Sequence, residues 1–232
     1  VFGFFIPLIF ILFNVVDNIG SYKLFELTTY TVNSIFISSV SSSIIVILLL
    51  FILFVDNQYK SSQSKILTIL TSLGYALPGA VLGLSLIIFS RILNNNIIDI
   101  SLIGTFSLLI YALVIRFLVV GRSPLKSSIE KIPQSTFEKA QNLGLNNYAL
   151  LRKIYLPLNK LGIISAFMLC FIDVMKELPI TLILMPFNFN TLSTKTYELA
   201  VEEMVDLSSI FSLLIIGICS LTLFVIKKYL SE

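Results

Sequence analysis

The stretch IFISSVSSSIIVILLLFILFV, Ile35–Val55, contains no charged side chain and no proline. A helix needs about 20 predominantly apolar residues to cross roughly 30 Å of hydrocarbon. Backbone groups in lipid must be satisfied within the protein, which leaves helices and closed barrels, and this stretch lacks the strict alternation of a barrel strand. It therefore predicts a transmembrane helix.

The composition of the whole chain agrees with this prediction. Of its 232 residues, 56% are hydrophobic and 12% are charged, and the mean hydropathy is +0.97. These values lie well outside those of a soluble domain of this length. We predict an all-α, polytopic membrane protein that forms a single domain over residues 1–232, with about six transmembrane helices and a polar connection, 121–161, between the fourth and fifth. The predicted spans are Phe2–Val16, Ile35–Val55, Ile66–Leu93, Ile100–Val120, Gly162–Leu184 and Ile210–Ile226.

The first predicted span is short, and the chain opens on Val1 rather than on methionine. A secretory signal peptide is a poor alternative for Phe2–Val16, because no basic segment precedes it and no small-x-small cleavage site follows it. We expect the sequence to be a piece of a longer polypeptide whose first span has been clipped.

The distribution of charge predicts the orientation, because short cytoplasmic loops retain lysine and arginine. If the segment after Val120 is cytoplasmic, most basic residues share its side: Lys60, Lys65, Arg122, Lys126, Lys131, Lys139, Arg152, Lys153, Lys160, Lys227 and Lys228. The basic residues of the outer segments are Lys23, Arg91 and Lys195, and the acidic ones are Asp17, Glu26, Asp99, Glu198, Glu202, Glu203 and Asp206. We predict an inner (plasma) membrane protein with a cytoplasmic C-terminus. The net charge of +3 does not indicate binding to nucleic acid.

Several kinds of chemistry are missing from the chain. It has no histidine, which removes the commonest general base and the commonest metal ligand. It has no G-x-x-x-x-G-K-[ST] sequence, which excludes a self-sufficient P-loop ATPase. Cys170 and Cys219 fall within predicted spans without C-x-x-C spacing, so we interpret them as packing residues rather than as a disulfide or metal site. Gly79 and Gly83 form a G-x-x-x-G pattern that ordinary helix packing explains. We predict a protein without catalytic residues, cofactor or metal ligands.

One long polar stretch, FEKAQNLGLNNYALLRKIYLPLNK, interrupts this apolar sequence at Phe137–Lys160. Its apolar residues recur at helical spacing, which is typical of amphipathic helices on a membrane face or against a partner: Leu143, Leu150, Leu151 and Ile154. Gly144 interrupts the pattern, and Asn146–Asn147 offers a turn or a helix start. The stretch predicts a helix, a bend and a second helix with Pro157 near its end. The alternative interpretation is a solvated loop that carries a surface helix, which is what a generic basic amphipathic stretch usually forms.

The spacing in this stretch resembles the EAA loop of ABC importer permeases, which reads E-A-A, three residues, G, nine residues and I-x-L-P. The matching residues are Glu138, Ala140, Gly144, Ile154, Leu156 and Pro157. Lys139 stands at the second motif position in place of alanine, one good helix former for another. GYALPGAVLGLSL at Gly74–Leu86 and DVMKELPITLILMPFNFNTLSTKTYELAVEE at Asp173–Glu203 are similar to stretches of iron(III)-type permeases. The sequence resembles the second of the two homologous halves of those proteins over nearly its full length.

This resemblance implies a function and a set of partners. The chain would be the permease subunit of an ATP-driven importer, in which the EAA loop seats in a groove of a cytoplasmic ABC ATPase. A periplasmic binding protein would deliver the substrate, with ferric iron as the leading candidate, and a second permease half or subunit would complete the pathway. The missing P-loop is then expected, since the nucleotide site belongs to the ATPase. Similar permeases handle thiamine, polyamines or other small solutes, and those substrates remain alternatives.

Three charged residues, Asp173, Lys176 and Glu177, lie within the fifth predicted span, where each uncompensated charge costs about 2.5–3.5 kcal/mol. Their spacing places them on one broad side of a helix, with Lys176 neutralising one carboxylate and one negative charge left over. They could form an ion pair that fixes helix orientation or could line the translocation pathway, for which Glu177 is our preferred residue. Pro179 and Pro78 predict a kink or a helix end in their spans.

Two other classes of protein compete with the permease interpretation. A secondary transporter could use Asp173 or Glu177 as a proton relay, but it has no reason to carry the EAA spacing. A membrane scaffold without transport leaves both the intramembrane charges and that spacing unexplained.

Overall fold

The structure, a computed structural model, describes residues 2–59, 62–96 and 102–231, and every regular element in these ranges is helical. The all-α prediction is therefore confirmed. Lys60, Asp99 and Ile100 lie outside the described residues, as does the side chain of Lys65. The helices are α1 (Phe2–Asp17), α2 (Leu24–Tyr59), α3 (Ser62–Ala76), α4 (Gly79–Asn96), α5 (Phe106–Glu130), α6 (Gln134–Asn142), α7 (Asn147–Leu158), α8 (Lys160–Met175), α9 (Pro179–Leu184), α10 (Leu192–Val201) and α11 (Val205–Ser231).

The core lies where α2, α5 and α8 pack against one another. A small residue allows their close approach, since a Cβ atom at Gly121 on α5 would lie 2.9 Å from both Cys170 Sγ on α8 and Leu49 Cδ1 on α2. Cys170 is fully buried there, whereas Cys219 on α11 is half-buried. The three helices form a tight central layer on which the peripheral helices rest.

The described helices contain three that are long and apolar enough to cross a membrane, Leu24–Gln58, Phe106–Glu130 and Val205–Lys228. Two bent pairs, α3 with α4 and α7 with α8, bring the number to five if each pair is counted as one span. Helix α1 is a shorter apolar helix. The predicted count of about six spans stays a prediction. The third and fifth predicted spans are each interrupted, as the prolines within them predict.

The third predicted span, Ile66–Leu93, is divided into α3 and α4, which are bent by 104°. The break lies at Leu77 and Pro78, because the residue before a proline is disfavoured in the helical conformation and proline lacks an N–H group. The fifth predicted span, Gly162–Leu184, ends its first helix at Met175, and Pro179 opens α9 at a position that proline favours. The predicted effects of both prolines are confirmed.

The helices extend beyond the predicted apolar spans. Helix α5 begins after Thr105, whose hydroxyl accepts a hydrogen bond from Leu108 N at 3.4 Å, and it continues to Glu130 rather than ending at Val120. Helix α2 likewise runs past both ends of Ile35–Val55. The connection 121–161 is consequently helical over most of its length. The apolar runs did not predict these extensions, because hydropathy marks the part of a helix that can lie in lipid and not where the helix ends.

The remaining helices surround the central layer. Helix α1 packs against α11, which also contacts α8 and α10, and α3 packs against α5. Helix α4 meets α9 at Gly83, where a Cβ atom would lie 3.2 Å from Ile183 Cγ2. The G-x-x-x-G pattern thus serves packing within this chain.

Candidate functional site

The first candidate site is the helix–turn–helix at residues 134–158, here called the coupling segment. Helix α6 ends in a Schellman motif, in which Leu145 N–H donates to Ala140 O at 3.2 Å and Gly144 N–H donates to Gln141 O at 2.9 Å. Gly144 has a φ of +82°, a conformation that glycine adopts without a steric penalty. The predicted bend at Gly144 is therefore present, and hydrogen bonds fix its geometry.

The second helix of the coupling segment starts and ends as the sequence predicts. The Asn146 side chain caps α7 by accepting a hydrogen bond from Ala149 N at 2.8 Å. Residues Leu151–Tyr155 form a π-helical turn, in which Leu156 N–H donates to Leu151 O. Pro157, which follows, has no N–H to continue the ladder, and α7 bends by 73° into α8 after Leu158. π-Helical turns such as Leu151–Tyr155 occur frequently at functional sites.

The six EAA-like residues divide between the core and the surface. Ala140 is buried, Ile154 packs against the core and Leu156 is half-buried. Glu138, Gly144 and Pro157 are exposed, and Glu138 lines a polar cavity of about 230 Å³ between α2 and α6. The apolar motif residues therefore anchor the segment, while the turn faces outward.

The turn of the coupling segment carries two exposed apolar side chains. The sequence placed Leu143 in the amphipathic pattern with Leu150, Leu151 and Ile154, all three of which pack toward the core. Leu143 instead lies at the C-terminus of α6 and is 81% exposed, and Tyr148 across the turn is 68% exposed. Both side chains lie beside the turn between α6 and α7, and we call them the apolar tip.

An aromatic cluster connects the coupling segment to the central layer. The Tyr155 ring on α7 lies 5.1 Å from the Phe54 ring on α2 and 6.0 Å from the Phe137 ring on α6. Gln141 Nε2 also donates to Gln58 Oε1 at 2.8 Å. These contacts join α6 and α7 to α2. The sequence analysis missed this cluster, although Tyr155 occupies the variable position of the I-x-L-P motif.

The second candidate site is the charged break between α8 and α9. Lys176 Nζ lies 2.7 Å from Asp173 Oδ1, so the predicted neutralisation of one carboxylate by Lys176 is confirmed. Glu177 lies beyond the last residue of α8, so the three charges do not share one side of one helix. The expectation that one negative charge is left over is also wrong, because Arg116 Nε on α5 lies 3.5 Å from Glu177 Oε2.

Burial distinguishes the two ion pairs at the charged break. The Lys176 side chain is 61% exposed, whereas that of Glu177 is only 8% exposed. Glu177 Oε1 accepts a hydrogen bond from Ile180 N at 3.1 Å and so caps α9, next to the exposed Pro179. The sequence analysis missed Arg116, although a single arginine inside the apolar run FSLLIYALVIRFLVV is a signal in itself.

Comparison with known proteins places both sites within one family match. The family described as "Binding-protein-dependent transport system inner membrane component" matches residues 50–232. The Fe(3+)-transport system permease protein FbpB 2 of Haemophilus influenzae is 28% identical over 197 residues, which cover 85% of this chain and 38% of that protein. A structure of the MetNI methionine ABC transporter in inward-facing conformations matches with a TM-score of 0.66 at 15% identity, over 90% of this chain and 97% of that chain. The structural match shows a shared fold.

Proposed function

The chain belongs to the family of binding-protein-dependent transport system inner membrane components, and we propose that it is a permease subunit of an ATP-driven importer. The observation that carries this proposal is the coupling segment, where a hydrogen-bonded turn at Gly144 presents an apolar tip within residues that match the EAA spacing. The ATP would be hydrolysed by a separate cytoplasmic ABC ATPase, and this chain would be a transport subunit rather than an enzyme.

We propose that the apolar tip of the coupling segment binds the ATPase. Exposed apolar side chains at a defined turn are suited to a groove, because buried anchors dominate binding energy while polar neighbours form the rim. We propose that the tip lies on the cytoplasmic side, together with the C-terminal end of α11, because basic residues surround the tip and short cytoplasmic segments retain positive charge. The aromatic cluster around Tyr155 then relays movement of the ATPase to α2.

Leu143→Ser is expected to weaken association with the ATPase by about tenfold or more, because truncating an interfacial anchor removes its buried area. Binding of the purified ATPase to the permease in nanodiscs measures this effect. Ile19→Ser is the matched control, since Ile19 is also an exposed apolar residue in a turn, on the predicted outer side. Equal binding by Leu143→Ser and the unmodified protein would contradict the assignment of the tip.

The substrate we propose is ferric iron, delivered by a periplasmic binding protein and passed through a pathway shared with a second permease half or subunit. Support comes from the stretches Gly74–Leu86 and Asp173–Glu203 and from the iron(III) permease relative. This chain covers 38% of that relative, which leaves ample length there for a second domain of the same size. Thiamine, polyamine or another small solute is the alternative.

Deletion of the gene is expected to abolish binding-protein-dependent uptake of ferric iron. Uptake of radiolabelled ferric iron by the deletion strain and by the complemented strain measures this effect, with ferrous iron uptake as the control. Normal ferric iron uptake together with loss of thiamine or polyamine uptake would place the protein with a different substrate. In that outcome the permease assignment stands and the substrate assignment is wrong.

We propose that Asp173, Lys176 and Pro179 line the pathway or meet the second half, since their break contains exposed polar surface. Glu177 would reach the pathway only if its contact with Arg116 opens. The secondary-transporter alternative gains no support from the charged break, where Asp173 and Glu177 each pair with a basic residue, and it has no reason to carry the EAA spacing. Uptake that persists after ATP depletion and stops when the proton gradient is collapsed would favour that alternative.

A further inference from the structure

Arg116 joins two of the helix breaks of this fold, the one between α3 and α4 and the one between α8 and α9. Its Nη1 atom donates a hydrogen bond to Leu77 O at 2.8 Å, in the break between α3 and α4. Its Nε atom lies 3.5 Å from Glu177 Oε2, in the break between α8 and α9. Its side chain is 19% exposed, so the cation is held largely within the protein. One side chain on the continuous helix α5 therefore contacts both discontinuous spans.

Each contact has a structural reason. A helix break leaves backbone groups without regular partners, and in a membrane these groups need partners from elsewhere in the protein. Arg116 supplies a donor to the Leu77 carbonyl, and Glu177 supplies an acceptor to Ile180 N–H at the start of α9. The two side chains that satisfy the breaks then attract each other by charge. The two breaks are thus linked electrostatically as well as through packing.

The space around this contact is closely fitted. A Cβ atom at Gly79, the first residue of α4, would lie 3.0 Å from Glu177 Oε1 and 3.2 Å from Arg116 Nη1. The guanidinium group also lies 5.8 Å from the ring centroids of Tyr75 and Phe117. We call Arg116, Glu177, the Leu77 carbonyl and Gly79 the Arg116 junction.

The ion pair within the junction is not a tight bidentate fork. Among the described residues, Arg116 Nε has no hydrogen-bond partner, although Glu177 Oε2 is within ion-pair distance. A buried pair keeps its full stabilisation only with good geometry and satisfied hydrogen bonds. The junction therefore combines buried opposite charges with an incomplete hydrogen-bond arrangement, which suits a contact that forms in one conformation and separates in another.

We propose that Arg116 is a positioning residue that holds the two broken spans together in the conformation that the structure shows, and that the junction opens during each transport cycle. This inference rests on the proposed permease function. The breaks in α3–α4 and α8–α9 are the places where the spans can rotate, because element ends absorb backbone changes more easily than continuous helices. Arg116 couples these rotations, so that the two broken spans move together.

The first test replaces Arg116 by lysine in the complete transporter, reconstituted with its ATPase in liposomes. Lysine keeps the charge but lacks the planar set of donors that contacts Leu77 O and Glu177 together. We expect similar membrane insertion and retained ATP hydrolysis, with uptake per ATP hydrolysed reduced by about fivefold or more. Arg122→Lys is the matched control, because Arg122 lies on the same helix and donates to Ser72 Oγ at 3.2 Å outside the junction. Uptake per ATP hydrolysed by this control should equal that of the unmodified transporter.

A second pair of variants crowds the junction without changing its charges. Gly79→Ala places a methyl group against Glu177 and Arg116, whereas Gly83→Ala places one against the apolar Ile183 side chain at a similar distance. We expect Gly79→Ala to lower uptake per ATP hydrolysed and Gly83→Ala to leave it unchanged. If Arg116→Lys or Gly79→Ala loses uptake and hydrolysis together, in proportion to lost protein, the role is purely structural and the proposal is wrong.

The charge contact itself is tested without transport. Arg116→Gln, Glu177→Gln and the double variant form a cycle whose thermal unfolding in detergent is compared with that of the unmodified chain. The double variant should lose less stability than the two single variants together. Additive losses would overturn the junction even if transport is normal. A different outcome is that the unmodified complex shows no ATP-driven uptake while the stability losses are non-additive. That outcome would reject the proposed function but establish the contact between Arg116 and Glu177. The proposed role of the junction in transport would then be wrong as well.

Discussion

Gly144→Val is expected to leave the protein inserted in the membrane but to uncouple transport from ATP hydrolysis. Left-handed backbone costs an L-residue about 1–2 kcal/mol, and a β-branched residue adopts it least readily. Apart from Gly144 and its two chain neighbours, no described atom lies within 4 Å of a Cβ atom built at this position, so the cost comes from the backbone conformation and not from a clash. The chain would avoid that cost by giving up the Schellman turn, which would displace Leu143 and Tyr148. Uptake and ATP hydrolysis by the reconstituted complex measure the effect.

Two control variants separate the position of the turn from general backbone strain. Gly104→Val introduces the same residue at a φ of +74°, again with open space around the Cβ position, but in the loop before α5. Gly144→Asn keeps a residue that tolerates this conformation. We expect both controls to transport at close to the unmodified rate. Normal coupling in Gly144→Val, with the ATPase still bound, would show that this turn is not the coupling element.

The sequence predicts features that arise from local chemistry. Apolar runs predict helices because lipid offers no partners to the backbone, and Pro78 and Pro179 predict breaks because proline cannot continue a helical ladder. The bend at Gly144 and the cap at Asn146 follow from the conformations that these residues favour. Each of these predictions depends on residues close together in the chain, and the structure contains all of them.

Features that depend on distant parts of the chain were not predicted. Arg116 lies on α5 and Glu177 in the break between α8 and α9, and only the packing of α5 against the two breaks brings them together. The exposure of Lys176 and the burial of Glu177 likewise depend on where α8 ends, which the apolar run Gly162–Leu184 does not mark. The sequence grouped Leu143 with Leu150, Leu151 and Ile154 on one amphipathic pattern, but the turn at Gly144 separates Leu143 from the other three.

The different burial of Glu177 and Lys176 predicts that Glu177→Gln and Lys176→Met differ strongly in their effect on folding stability. Glutamine retains an oxygen that can accept from Ile180 N–H, but it leaves the Arg116 cation uncompensated within the protein. Removing one partner of a buried ion pair costs roughly 3–5 kcal/mol. Lys176→Met removes one partner of a pair whose lysine is mostly exposed, and such pairs contribute about 0–1 kcal/mol.

Glu177→Gln should therefore lower the unfolding midpoint and the membrane-inserted amount far more than Lys176→Met, the matched control. Immunoblotting of membranes and thermal unfolding in detergent measure these two quantities, and uptake is then divided by the inserted amount. If Glu177 also meets the pathway when the Arg116 junction opens, uptake per inserted molecule falls further, since the carboxylate is a favourable transient neighbour for a cationic substrate. Uptake that falls only in proportion to inserted protein would make Glu177 a structural residue alone. Unchanged stability in Glu177→Gln would show instead that its contact with Arg116 contributes nothing to the fold.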